Sequence, residues 1–253
     1  MIYGIYQSAA GLMTNQYRQD VLANNLANVG TVGFKHDLAV VRERRIQAHE
    51  GLAGLTTGDR LLDGLTGGSL VAPTYTSSEQ GTLDETGRPL DAALVGDGYF
   101  AVHDGQGERY TRDGRFTLNA NGELVTVAGG HRVLDVSGGP ITVTGPEAGS
   151  ARLHTDGSMR IGDQVVGQLR IVDIQEKNNL RKQGGNLFQA VGQRPTVSQA
   201  ELRVGMVEQS TVDPMQAMVA MIESSRAYQL NATMIGLADA TLSRAVNDIP
   251  RLR

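Results

Sequence analysis

The 253-residue chain contains no cysteine and no tryptophan. Without thiols it can form no disulfide, no thiolate metal site and no cysteine nucleophile. Aromatic residues make up only 4%, so a deep ring-lined ligand pocket is not expected. Charge of one sign is also lacking: the formal net charge is −4, with no basic footprint for nucleic acid. The densest basic cluster, Arg42, Arg44 and Arg45, is interrupted by Glu43 and reads as a solvated or subunit-facing patch. No run approaches the roughly 20 apolar residues of a membrane span, so membrane insertion is not expected. The opening residues, MIYGIYQSAAGLM, lack the basic start and unbroken apolar core of a secretory signal.

Catalytic and cofactor patterns are equally scarce. His36, His49, His103, His131 and His154 are scattered, with no metal-ligand spacing. There is no nucleophile elbow, Walker loop or dinucleotide fingerprint, and the Asp-Gly pairs lack the alternating acids of a calcium loop. The expectation is a protein with no catalytic residues, no cofactor, no metal and no small-molecule substrate.

What is present is helical at both ends. From Ile2 to about Val29 there is no proline, and Ile5, Ala9, Leu12 and then Leu22, Leu26, Val29 repeat on one face. Gly30 and Gly33 supply a stop. At the other end Asp213-Pro214 is a helix start, with Asp as cap, Pro at the first position and Gln216 where a capping-box partner sits. From there to about Val246, Met218, Ile222, Leu230, Met234 and Leu237, with Ile235, Ala238 and Leu242, form a broad apolar stripe.

The middle is punctuated differently. Asp97-Gly98, Asp104-Gly105, Asp113-Gly114, Asn121-Gly122 and Gly129-Gly130 follow one another every seven to nine residues. Such pairs favour the positive φ of hairpin turns. Short strand-like runs lie between them, at Tyr99–Val102, Arg115–Leu118 and Leu124–Val127, which together read as an antiparallel meander. Further strands are expected at Pro140–Thr144, Ala151–His154 and Val165–Ile174. Gly51–Ser78 reads as an extended connector and Lys177–Gly185 as an exposed loop.

The fold class is therefore α+β: long terminal helices pairing as a coiled-coil-like domain, with a central antiparallel β-rich domain inserted between them. The expected divisions are 1–35 (first helix), 36–78 (connector), 79–200 (β domain) and 201–253 (second helix). Paired ends could pack against other copies. Alternatively, both helices lie on the β body of a soluble monomeric binding module or enzyme.

Four ordered blocks weigh on this choice. Residues 23–35 read ANNLANVGTVGFK; residues 88–100 read RPLDAALVGDGYF; Tyr110–Phe116 read YTRDGRF and run on to Asn121–Val125; Val207–Asp213 read VEQSTVD and continue through Met221–Tyr228. Together they resemble the flagellar rod and hook proteins. The resemblance implies terminal helices forming a coiled-coil domain that lines a filament core, with the β domain outside it. It implies polymerisation with itself and with other rod and hook proteins, and export through the flagellar type III apparatus without a cleaved signal. The implied place is the basal-body rod. Chain length matches rod subunits with a single β domain, one proximal and one distal. The blocks Gly138–Val143 and Arg-Pro-Leu-Asp incline to the proximal type, and Glu-Ser-Ser-Arg-Ala-Tyr resembles the distal type as much. The tail beyond Ser243 has no counterpart.

The residues expected to pack between subunits are Asn24, Asn25, Leu26, Asn28, Thr31, Gly33 and Phe34 at the first helix end, and Met218, Ile222, Tyr228, Leu230, Met234 and Leu237 on the second. The three amides either fix register, as a buried amide must find a partner, or cap the helix end locally. Phe34 is read as an anchor for the turn. Leu94, Gly96, Gly98, Tyr99, Phe100, Gly114, Phe116 and Gly122 are read as β-domain core and turns.

Overall fold

The computed structural model describes residues 2–43, 68–144 and 148–248. Arg44, Arg45, His49, most of the expected connector and the last five residues lie outside this set. The described chain has a long helix at each end and a β-rich middle, an α+β arrangement. It divides into two compact units. One comprises Met1–Ala27, Asp37–Tyr75 and Asp213–Arg253; the other comprises Asn28–His36 and Thr76–Val212.

In the first unit, helix α1 (Ile2–Ala27) packs along helix α2 (Pro214–Asp248). The pair is antiparallel: the Ser224 hydroxyl donates to Asn15 O at 2.9 Å, and Gly11 lies against the Asn231 amide. The Asp213 carboxylate accepts from the Met215 and Gln216 amides at 2.9 and 3.2 Å, so the Asp-Pro start works as a cap. The second helix runs on through the sequence beyond Ser243 to Asp248. Strands β1 (Asp37–Leu38), β2 (Val41–Glu43), β3 (Ser69–Val71) and β4 (Tyr75–Thr76) break up the ends of the expected connector. β2 and β3 pair, and this ribbon lies on α1: the Tyr17 hydroxyl donates to Ala72 O at 3.1 Å, and the Thr14 and Ser69 hydroxyls are 3.4 Å apart.

The second unit carries strands β5 (Leu83–Glu85), β6 (Ala92–Val95), β7 (Tyr99–His103), β8 (Glu108–Thr111), β9 (Phe116–Leu118), β10 (Leu124–Thr126) and β11 (Arg132–Val133). After these come β12 (Arg152–Leu153), β13 (Ser158–Ile161), β14 (Gln164–Gln168), β15 (Ile171–Asp173), β16 (Leu180–Gly184), β17 (Leu187–Ala190), β18 (Thr196–Val197), β19 (Glu201–Val204) and β20 (Met206–Glu208). The main sheet runs β16-β17-β8-β7-β11-β10-β9, with β15 and β18 joined to it at β7. β7 is its hub. β8 pairs along one side, while β15 at Tyr99–Phe100 and β11 at Val102–His103 share the other. Alternation along the strand sends Phe100 and Val102 into one apolar cluster and Tyr99 and Ala101 into another. Both faces are buried, so β7 reads as a continuous apolar run.

A simple meander is not what forms. Asp104-Gly105, Asn121-Gly122 and Gly129-Gly130 do close hairpins, with positive φ at each glycine. Asp97-Gly98 and Asp113-Gly114 do not. β6 leaves the main sheet to pair β19, and β9 pairs β10 rather than β8. Neither Gly98 nor Gly114 has positive φ; both are glycine because another segment of the chain passes close by. A Cβ at Gly114 would stand 1.6 Å from Ala92 O, and one at Gly98 2.5 Å from the Ser198 hydroxyl. Residues 180–184, expected in a loop, form β16, because Leu180–Gly184 pairs Leu187–Ala190 across the turn that Asn186 makes at φ 61°.

Candidate functional site: helix faces and a buried charge cluster

Helix α2 has two different faces. Its buried and half-buried residues include Ala217, Met221, Ser224, Tyr228, Asn231, Ile235, Ala238, Leu242 and Ala245, which alternate by four and three, with Ala220, Ser225 and Ala227 flanking them. One column of this seam is small or polar (Ala217, Ser224, Asn231, Ala238, Ala245) and the other is large. Small residues let helices approach closely, and Gly11 on α1 fits this: a Cβ there would lie 2.9 Å from Asn231 Oδ1. Tyr228 is therefore a seam residue. Met218, Ile222, Leu230, Met234 and Leu237 are not: they lie on the far side and are 42–67% exposed, as are Met215 and Val219. The stripe read from the sequence is thus two faces, one turned to α1 and one to solvent.

At the end of α1, Asn25 is buried and bonds the Asp37 backbone twice, donating to Asp37 O at 2.8 Å and accepting from Asp37 N at 2.9 Å. Asn24 is exposed and Leu26 half-buried. Asn28 accepts from the Thr31 amide and hydroxyl, closing a local turn just past the helix.

Thr31 to His36 belongs to the β unit and is held there by a cluster that sequence reasoning did not single out. Glu208, 1% exposed, accepts from Lys35 Nζ at 2.6 Å, from Arg112 Nη1 at 3.2 Å and from the Gly81 amide at 2.9 Å. Lys35 Nζ also donates to Glu79 O. Arg112 donates to Leu94 O and Gly96 O at 3.3 and 2.6 Å and lies 5.2 Å from the centre of the Tyr99 ring. Two cations thus share one carboxylate, and carbonyl oxygens offset the surplus charge. Burial lowers the Lys35 pKa and the Glu208 carboxylate opposes this. Burial also raises the Tyr99 hydroxyl.

The rest of the segment is held as firmly. Gly33, at φ 69°, donates to Glu208 O at 2.6 Å, and a Cβ there would meet the Arg112 carbonyl carbon at 2.5 Å. Buried Phe34 lies under Lys182, whose ammonium is 4.1 Å from the ring centre and donates to Lys35 O at 2.5 Å. Lys35, Arg112 and Glu208 all sit inside the quoted blocks, yet a charged residue in a sequence gives no sign of being buried. Of the β-domain residues, Leu94, Tyr99, Phe100 and Phe116 are buried, with Phe100 and Phe116 edge to face at 5.2 Å. Gly96 and Gly122 have positive φ. Among the described residues no group of acids and histidines is placed to hold a metal ion, and no helix is long and apolar enough to cross a membrane.

Comparison with known proteins places this geometry. Residues 5–35 match the family described as flagella basal body rod protein; residues 93–161 match the flagellar hook protein FlgE/F/G D1 domain, and 203–248 the flagellar basal body rod FlgEFG protein C-terminal region. The chain is 32% identical to flagellar basal-body rod protein FlgF of Mesorhizobium japonicum, covering 97% of each chain. It is 37% identical to FlgF of Caulobacter vibrioides over 95% of each, and 34% identical to flagellar basal-body rod protein FlgG of Bacillus subtilis over 98% of this chain and 99% of that one. The chain belongs to the flagellar basal-body rod protein family. The matched segments cover both helices, the charge cluster and the hub strand of this rod-family protein.

Proposed function

We propose that this chain is a non-catalytic structural subunit of the bacterial flagellar basal-body rod, polymerising through its terminal helices into a shaft that carries torque to the hook. The observation that carries the assembly reading is the second apolar face of α2. A helix buried on one side against α1 has no reason within the monomer to present Ile222, Leu230 and Leu237 to water on the other. The 4/3 seam with α1 fits a coiled-coil pair. Its outer face then supplies a surface for neighbouring copies and for other rod and hook proteins. A monomeric enzyme or binding module would bury that face on its own body. The proposed location is the flagellum, reached through the flagellar export apparatus.

Ile222, Leu230 and Leu237 are the residues to test, with Met218 and Met234 beside them. Sedimentation of the full-length subunit across a concentration series should show polymers in the wild type. Ile222→Asp combined with Leu230→Asp should leave a monomer with unchanged far-UV circular dichroism. Polymerisation of the double variant at wild-type concentrations would defeat the reading.

A further inference from the structure

We propose that the Lys35–Glu208–Arg112 cluster and the β16–β17 hairpin form a fastener that docks residues 32–36 on the β body independently of helix formation. The segment is held like a bound peptide, group by group. Val32 O accepts from the Asn186 side-chain amide at 2.7 Å, Gly33 N donates to Glu208 O, and Phe34 O accepts from Thr211 N at 3.0 Å. Lys35 O accepts from Lys182 Nζ, and His36 N donates to the Thr211 hydroxyl at 2.9 Å. Side-chain anchors add to this, with Phe34 and Lys35 both buried. Every partner named comes from residues 79–211 and none from α1 or α2.

The hairpin is built for this role at a cost. Asn186 is the one non-glycine among the described residues with positive φ. It sits at the turn, and strained backbone of this kind persists where the surroundings over-determine it. Its carbonyl accepts from the Thr111 hydroxyl at 3.0 Å, which holds the turn over the segment. The charges work the same way. A carboxylate shared by two buried cations fixes all three in one arrangement, and removing it leaves like charges facing each other. The consequence is that residues 32–36 stay docked on the β body even when the helices are unpaired.

The test is hydrogen exchange of the full-length subunit at concentrations where it sediments as a monomer, comparing amides at Gly33 and Thr211 with those of β7 and of α1. Wild-type Gly33 and Thr211 should exchange within about tenfold of the β7 amides and on the order of 100-fold more slowly than α1. Glu208→Gln should speed Gly33 and Thr211 by on the order of 100-fold, through the unpaired cations it leaves, with β7 unchanged. Lys35→Met, which keeps volume and leaves the Arg112–Glu208 pair, should have a smaller effect, and adding it to Glu208→Gln should recover part of the loss. Should Glu208→Gln fail to fold, Lys182→Met removes the clip from the half-buried side and should loosen Gly33 by about tenfold without touching β7. Gly33 and Thr211 exchanging at the α1 rate in the wild type would overturn the proposal. So would Lys182→Met or Glu208→Gln loosening β7 as much as the segment.

Discussion

Replacing Gly114 with alanine should be among the most damaging single-methyl additions this protein can receive, for a reason unrelated to turn geometry. Gly114 lacks positive φ, so alanine meets no dihedral penalty there. Its methyl would instead stand 1.6 Å from Ala92 O, 2.8 Å from Ala92 C and 3.1 Å from Phe100 Cε2. Backbone cannot swing aside as a side chain can. Ala92 is fully buried and pinned twice, by its own amide bonding Gly114 O at 3.0 Å and by pairing with Val204 on β19. Relief requires a shift of more than an ångström between two backbone segments joined on both sides. Overpacking costs about 1–3 kcal/mol. Losing one or two of the adjoining backbone hydrogen bonds adds about 1 kcal/mol each, giving about 2–5 kcal/mol in all. Gly105→Ala is the control. Gly105 sits in open space at φ 91° and should lose only about 1–2 kcal/mol to left-handed backbone strain. Urea titrations followed by near-UV circular dichroism of the buried tyrosines Tyr99 and Tyr110 would measure both, as midpoint shifts at constant slope. A Gly114→Ala midpoint as mild as that of Gly105→Ala would refute the close-approach reading and return Asp113-Gly114 to the status of an ordinary turn.

Two further outcomes follow from local geometry. Asp213→Ala removes the acceptor for the Met215 and Gln216 amides and should cost about 1 kcal/mol, read as faster exchange in the first turn of α2 with the β body unaffected. Acid should weaken the β body below pH 4. Hydrogen bonds from Ser158, with Arg160 beside them, hold Asp156 down to about 2. The Lys177 ammonium lowers Asp97, and backbone amides lower Asp104 and Asp135 against the opposing effect of burial. Carboxylates with depressed folded-state pKa values stabilise fully above the unfolded value, and that contribution disappears as pH falls from about 4 toward 2. Thermal melts across this window should show a falling midpoint, and an Asp156→Asn variant should flatten part of the fall.

The sequence by itself determined the helical ends, the start of α2 at Asp213-Pro214 and the strand-rich middle. These depend on periodicity and capping, which act over a few residues and are written locally. It also identified the family, through four ordered blocks. Three glycine turns were legible because positive φ is a property of one residue and its neighbours. The tertiary structure decided what depends on who lies opposite. Gly98 and Gly114 resemble turn glycines in the chain but are fixed by Ser198 and Ala92, about 100 and 22 residues away. The apolar stripe of α2 could not be divided into a seam and an outer face until Gly11 and Asn15 were set against it. Lys35, Arg112 and Glu208 were written as ordinary charges. Only the folding of three distant segments onto one another took them out of water, and burial, which depends on every neighbour at once, cannot be read from any one of them.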